Sequence, residues 1–410
     1  MPDNWPTTTL GEVITLHRGY DLPTQNRVFG SVPIISSAGP SGRHVEAKIK
    51  GPGVVTGRYG TIGEVFFIKE GFWPLNTTLY VDDFKGNDPL FVSYLLRTID
   101  FIAHSDKSSV PGVNRNDLHM EPVRIPPLDE QRAIAAVLGA LDDKIELNRQ
   151  MNATLEAMAR ALFQSWFVDF DPVRTKMEGR TPYGMDAATA ALFPAAFTDS
   201  PLGPIPEGWH TGSLSDGIAI ERSGINPGDY ADEIFDHYSI PAYDDGMMPK
   251  PEFGAQIMSN KFVVTQDVVL LSKLNPRIPR VWMPDIETAH RAVCSTEFSV
   301  ARARDRFSRE FVYALFTSRP FLDVFASLVT GTSSSHQRVK PEYLIAMETL
   351  LPSAQVILAF SDATRPLFQR IAHNRQESLT IASIRNALLP KLLSGAVRLR
   401  DAARVMEAAV

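Results

Sequence analysis

The chain has 410 residues, of which 44% are hydrophobic, and a net charge of −6, so it can bury two cores but is not a general polyanion-coating protein. A local basic face, or a basic partner, can still supply phosphate contacts. Its one cysteine, Cys294, excludes an internal disulfide. No apolar run reaches membrane length and MPDNWPTTTL does not read as a signal peptide, so a cytoplasmic protein with no membrane partner is expected.

In chain order, residues 1–128 read as β-type runs punctuated by Gly and Pro, then a short helix near 90–103 and a Ser-rich loop. From 129 to 170 the apolar residues recur at threes and fours, which predicts a long helix with one buried face. A seven-residue frame aligns Ile134, Leu141, Asn148, Leu155 and Leu162 on one seam, with Asp129 as N-cap. Pro172 should stop this helix by Asp171. Six prolines within 171–207 predict a surface linker, with one short Ala-rich turn of helix near 186–192.

Residues 208–352 repeat the first globular plan, with a helix near 309–328. Residues 353–396 form a second long helix with Phe360, Leu367, Asn374, Ile381 and Leu388 on its seam, and 397–410 are a tail. Each seam residue lies 226 positions after its partner, and Asn-Arg-Gln recurs at the same offset. This is an internal repeat. Pro390 should kink or shorten the last turns and Gly395 can close them. At about 40 residues and 1.5 Å per residue, each helix is a rod of roughly 60 Å. The repeat also extends upstream. Trp5, Leu10 and Arg18 match Trp209, Leu214 and Arg222; PGVVTGRYG resembles DVVLLSKLN, NTTLYV resembles CSTEFSV, and FVSYLL resembles FVYALF. The expected fold class is therefore α+β: two β-rich globular domains and two long helices in a pseudo-twofold repeat.

Motifs for chemistry are poor. There is no phosphate-binding GxxxxGK[ST], no Asn/Asp-Pro-Pro-aromatic tetrapeptide, and no metal-ligand spacing among the nine His and one Cys. Asp3 with Glu46 and Lys48 could start a nuclease reading, but the separation is long and the second unit lacks an equivalent.

Taken together, the PPLDEQ helix entry (126–131), the NRQ repeat, SWFVDFDPVR (165–174), LGPIPEGW (202–209) and LLPKLLSG (388–395) resemble the specificity subunit of type I restriction–modification systems. GRYGTIG (57–63) and SSVPGVNRNDL (108–118) look like parts of its target-recognition domains. One departure is that the second rod begins LPSAQVILAF where the first has PPLDEQRAIA, so the two docking surfaces can differ in strength. The resemblance implies two target-recognition domains (1–128 and 208–352) separated by two long antiparallel helices. It implies a non-catalytic subunit that reads a bipartite sequence in double-stranded DNA. It implies two methyltransferase subunits, and restriction subunits, as partners. S-adenosylmethionine, ATP and Mg²⁺ are then expected on those partners, with no cofactor on this chain. The alternative is a coiled-coil scaffold that dimerises other proteins and never touches DNA.

If the rods run antiparallel, Asn148 and Asn374 should face each other and fix register at some cost in stability; otherwise both point to solvent. Candidate DNA contacts sit on loops. Arg58 and Tyr59 lie on a tight Gly-bounded turn, where an arginine can reach guanine or phosphate, or have no partner at all. Ser108, Ser109, Asn114 and Arg115 form one polar loop; its counterpart carries Ser333, Ser334, Ser335, His336, Gln337, Arg338 and Lys340. RGYDLPTQNR adds Arg18, Tyr20, Gln25 and Arg27, and KLNPRIPR adds Lys273, Asn275, Arg277 and Arg280.

Overall fold

The computed structural model describes residues 5–105, 112–286, 289–304, 306–330 and 337–397. The chain divides into two compact units, Met1–Leu147 with Glu377–Val410, and Asn148–Gln376. Both are α+β. Among the described residues no helix is long and apolar enough to cross a membrane, and no cluster of His, Cys, Asp and Glu could hold a metal.

In the first unit, a four-stranded antiparallel sheet runs in the order Thr15–Arg18, Thr78–Asp83, Gly53–Gly57, Val65–Ile68. Its central strand, GVVTG, is wholly buried, because one face meets the helix Pro89–Leu96 and the other meets Phe72 and Tyr80. That helix starts at Asp88, whose carboxylate accepts from the Phe91 amide at 2.9 Å, capping a free N–H. A second sheet orders Gly39–His44, Val32–Ser36 and Trp73–Pro74, the last two parallel. Thr7–Thr9 pairs with Pro122–Arg124.

The second unit repeats these pairings. Ile218–Glu221, Phe298–Ala303, Val268–Ser272 and Val281–Trp282 stand in the same order, and His210–Ser213 pairs with Glu348–Leu351. The parallel pair recurs as Ile234–Tyr238 with Arg291–Ser295. Lys250–Phe253 flanks that pair on one side, and Lys261–Val263 and Gly224–Ile225 extend it on the other, giving five strands. Cys294 lies in it, and burial pushes its thiol up to about 12, so it is an unreactive core position.

Three elements differ from the sequence reading. The stretch 309–328 is two helices, Arg309–Thr317 and Arg319–Ser327, broken at an extended Ser318. Pro320 cannot supply the amide a continuous helix needs, but it fits the first turn of a new one. Pro172 likewise opens a short helix, Asp171–Met177, after Phe170 takes a left-handed φ of 56°. The segment 171–207 is also not a loose linker. Val173, Phe193 and Ile205 are buried in the second core, and Phe197–Thr198 pairs with Ile205–Pro206.

The long helices span Leu128–Phe167 and Ala354–Leu393. The second runs through Pro390, and Gly395, at φ 72°, closes it with its amide on the Leu392 carbonyl. Within the first unit Asp142 meets Arg385 and Lys144 meets Glu377, so partner numbers run in opposite directions and the segments are antiparallel. Within the second unit Asn148 meets Asn374 and Phe163 meets Phe360, which gives the same sense.

Asn148 and Asn374 are both fully buried. Asn148 Nδ2 donates to the Asn374 carbonyl at 3.4 Å, and Asn374 Nδ2 donates to Asn152 Oδ1 at 2.8 Å. Asn152 Nδ2 in turn donates to the Ile371 carbonyl at 3.4 Å. The amides thus tie one helix to the backbone of the other, with Asn152 as a third member that the seam pattern did not single out. Replacing Asn148 and Asn374 together by Ile should raise the melting temperature and permit slipped assemblies, because polar seam groups trade stability for register. Light scattering of a purified double variant checks this; an unchanged single species with lowered stability would count against it.

Asp142 joins three groups of the first unit: Tyr94 donates to it at 2.7 Å, Arg97 lies at 3.2 Å, and Arg385 bonds its other oxygen. Burial works to raise its pKa, but the Arg385 and Tyr94 hydrogen bonds and the arginine charges outweigh burial and hold the carboxyl below its ordinary value. With the folded pKa below the unfolded one, this stabilisation is complete above the unfolded value. It is lost as pH falls through the folded value. Between about pH 5 and pH 3 the melting temperature should therefore fall more steeply for wild type than for Asp142→Asn. Parallel curves would exclude Asp142 as a source of the acid sensitivity.

Candidate nucleic-acid interface

The first unit opens a cleft of about 990 Å³. It is lined by Arg18, Arg58, Tyr59, Asn114 and Arg115 from the sequence-derived set, and by His17, His104 and Asp117, which sequence reasoning did not select. Three cations thus converge from separate elements. Arg18 ends a strand, Arg58 follows the buried strand Gly53–Gly57, and Arg115 opens the helix Arg115–His119.

Local chemistry holds each element in place. The Arg58 amide bonds the Thr77 carbonyl at 2.8 Å, and the Arg58 carbonyl accepts from Val113 at 3.0 Å. The Arg58 guanidinium lies over the Tyr59 ring, 4.6 Å from its centroid. That ring packs on Gly112, where an added Cβ would meet it at 2.3 Å, so a side chain there would have to displace the ring. Asn114 caps the Arg115 helix by accepting from the Asn116 amide at 3.0 Å. The Leu16 amide donates to His119 Nε2 at 3.0 Å, tying that helix to the Arg18 strand.

Burial first, then the Arg115 and Lys85 charges, lower the His119 pKa, keeping the acceptor nitrogen unprotonated. The folded value lies below the unfolded one, so this contribution is intact above the ordinary imidazole pKa and is lost as pH falls below it. His119→Gln should flatten the loss of thermal stability between about pH 7 and pH 5. Identical pH profiles for the two proteins would rule His119 out.

The remaining first-unit candidates lie outside the cleft lining. Tyr20 bonds the Tyr80 hydroxyl at 2.9 Å, Gln25 sits exposed in a 3₁₀ turn, and Arg27 reaches the Leu22 and Ser41 carbonyls. Ser108 and Ser109 lie outside the described residues.

The second unit gathers Arg222, Lys273, Arg338 and Lys340 on the same backbone plan, but with Glu297 and Glu342 among them. Arg222 bonds Glu342 at 2.7 Å. Arg338 forms two parallel hydrogen bonds to Glu297, at 2.9 Å each, and this pairing lowers the Glu297 carboxyl pKa. Asn275 takes a left-handed φ of 48° and donates its amide to the Gln337 carbonyl at 2.9 Å. Arg277 is exposed, whereas Arg280 is held by both oxygens of Asp244 and its side chain is only 11% exposed. Ser333, Ser334, Ser335 and His336 lie outside the described residues. Glu297 and Glu342 carried no sequence signal, since a single carboxylate on a turn or in the first turn of a short helix is ordinary.

Residues 2–157 match the type I restriction modification DNA specificity domain. The chain is 26% identical over 344 residues to the type I restriction enzyme HindI specificity subunit of Haemophilus influenzae, covering 72% of this chain and 73% of that protein. It is 24% identical over 315 residues to the MjaIX specificity subunit of Methanocaldococcus jannaschii, covering 72% and 65%. Its fold is similar to the crystal structure of a type I restriction–modification S subunit from M. genitalium, with a TM-score of 0.57 at 15% identity over 95% of this chain and 96% of that one. The first 157 residues thus match the type I specificity domain, and the chain is similar over about seven-tenths of its length to specificity subunits of type I restriction enzymes.

Proposed function

We propose that this chain is the DNA-reading, non-catalytic subunit of a type I restriction–modification assembly, and that each unit reads its own short block of a bipartite duplex target. One observation carries the reading: a single backbone plan, built twice, presents converging cations with different side chains around them. Shared scaffold supports shared docking on DNA, and unlike loops support unlike sequences. Residues 1–128 and 208–352 are the recognition domains in this reading. The long helices 129–170 and 353–396 dock two methyltransferase subunits, and restriction subunits join them; 171–207 connects the first helix to the second recognition domain, and 397–410 is a tail. Those partners carry S-adenosylmethionine, ATP and Mg²⁺, and the assembly works in the cytoplasm.

The test combines the full chain with methyltransferase subunits and maps methylated sites. Two defined blocks around an unspecified spacer are expected, with no methylation by the chain alone. Duplex binding should weaken steeply with salt. A single uninterrupted motif, or turnover by the isolated chain, would overturn the reading. Absence of any salt-sensitive duplex binding would return it to a protein-only scaffold.

A further inference from the structure

The backbone around the cations of the two units is bonded alike. The Arg58 amide bonds the Thr77 carbonyl and its carbonyl accepts from Val113; the Lys273 amide bonds the Glu297 carbonyl and its carbonyl accepts from Val339. Tyr59 bridges Gly112 as Leu274 bridges Arg338. Lys273 therefore stands where the first unit has Arg58, Glu297 where it has Thr77, and Arg338 where it has Gly112. The second unit has gained an arginine and a carboxylate at adjoining places.

We propose that Glu297 is a specificity-determining positioning residue, which holds one edge of Arg338 so that its other edge reads a guanine in the block recognised by the second unit. This rests on the DNA-reading assignment above. Arg338 donates through Nε to Glu297 Oε2 and through Nη2 to Oε1. A guanidinium has five N–H groups, so the outer pair, on Nη1 and Nη2, stays available as a fork. That fork matches guanine O6 and N7. Both ends of the clamp are fixed. The Arg338 carbonyl accepts from the Thr330 amide at 2.9 Å, and the Glu297 amide donates to Ser295 Oγ at 3.2 Å. The arginine has thus lost much of its rotamer freedom during folding rather than on binding. Charge points the same way. A guanidinium already matched by a carboxylate gains little from a phosphate, whereas a base edge carries no net charge. The first unit has no carboxylate at the Thr77 position, and its Arg58 lies over a ring instead.

The test profiles methylation by the complete complex on every single-base variant of its target, for wild type, Arg338→Ala, Glu297→Ala, Glu297→Gln and the Arg338→Ala/Glu297→Ala pair. Wild type should require guanine, on one strand, at one position of the second-unit block. Arg338→Ala should relax that position by on the order of 10- to 100-fold and leave the other block untouched. Glu297→Ala should relax the same position, and the double variant should relax it no further than Arg338→Ala. Salt dependence should not change. Glu297→Gln keeps the side-chain volume and one acceptor, and should relax that position to an intermediate degree even if Glu297→Ala melts early. Full discrimination in both Glu297 variants, equal weakening of all sequences by Arg338→Ala, or relaxation at a position without guanine would each overturn the proposal alone. A wild-type complex with no sequence preference would overturn the DNA-reading assignment with it.

Discussion

Phe360→Ala is expected to cost the second unit about 3–5 kcal/mol, the largest stability effect of any single change considered for this chain. Phe360 is fully buried. Its ring meets Phe167 at 5.3 Å, Phe163 at 5.9 Å and Trp166 at 6.0 Å, all nearly edge to face. Phe311, from the helix Arg309–Thr317, closes the cluster at 6.3 Å. Edge-to-face rings gain beyond simple burial, and a cavity among four rigid aromatics cannot collapse. The melting temperature should fall by on the order of 10 °C in thermal scans followed by near-ultraviolet circular dichroism. A loss below about 1 kcal/mol would mean that the cluster repacks freely.

Arg58→Ala should change recognition while leaving the fold intact. The side chain is half-buried, lies over Tyr59 and lines the first cleft. If it reads a base edge, discrimination at one position of the first block drops by about 1–3 kcal/mol. If it binds phosphate, all sequences weaken alike and the salt slope becomes shallower. Tyr59→Ala should act in the same direction with a smaller effect, because the ring orients the guanidinium. Methylation profiles of the two variant complexes decide between the modes. Relaxation in both blocks would show that the units do not divide the target.

The long helices were legible because their apolar period is strong and sustained, and the repeat because paired phrases kept their order. Sheet order was not legible, since it depends on pairings between distant strands, such as Thr15–Arg18 beside Thr78–Asp83. Nor was the packing of 171–207, where proline suggested exposure and Val173, Phe193 and Ile205 were too sparse to form a period. In the clefts, types of residue were readable and neighbours were not. Arg338 was visible as a loop cation, but Glu297 is 41 residues away along the chain, and the two meet because the backbone on either side of Lys273 pairs with both segments. Asn152 was missed for the opposite reason. It lies off the seam position that singled out Asn148, yet its amide completes the contact.

The division of the chain has a consequence for synthesis. The second unit is one continuous stretch, Asn148–Gln376, whereas the first needs residues from both sides of it. Ile381, Leu388 and Leu392 share the first core with Leu10, Val13 and Ile134. On the ribosome, Leu10 therefore emerges early but waits for more than half the chain before its last neighbours exist. The unit begun first is finished last. A nascent chain stopped before Glu377 would carry a completed second unit and an open first core, with its apolar residues available to chaperones until the closing helix arrives.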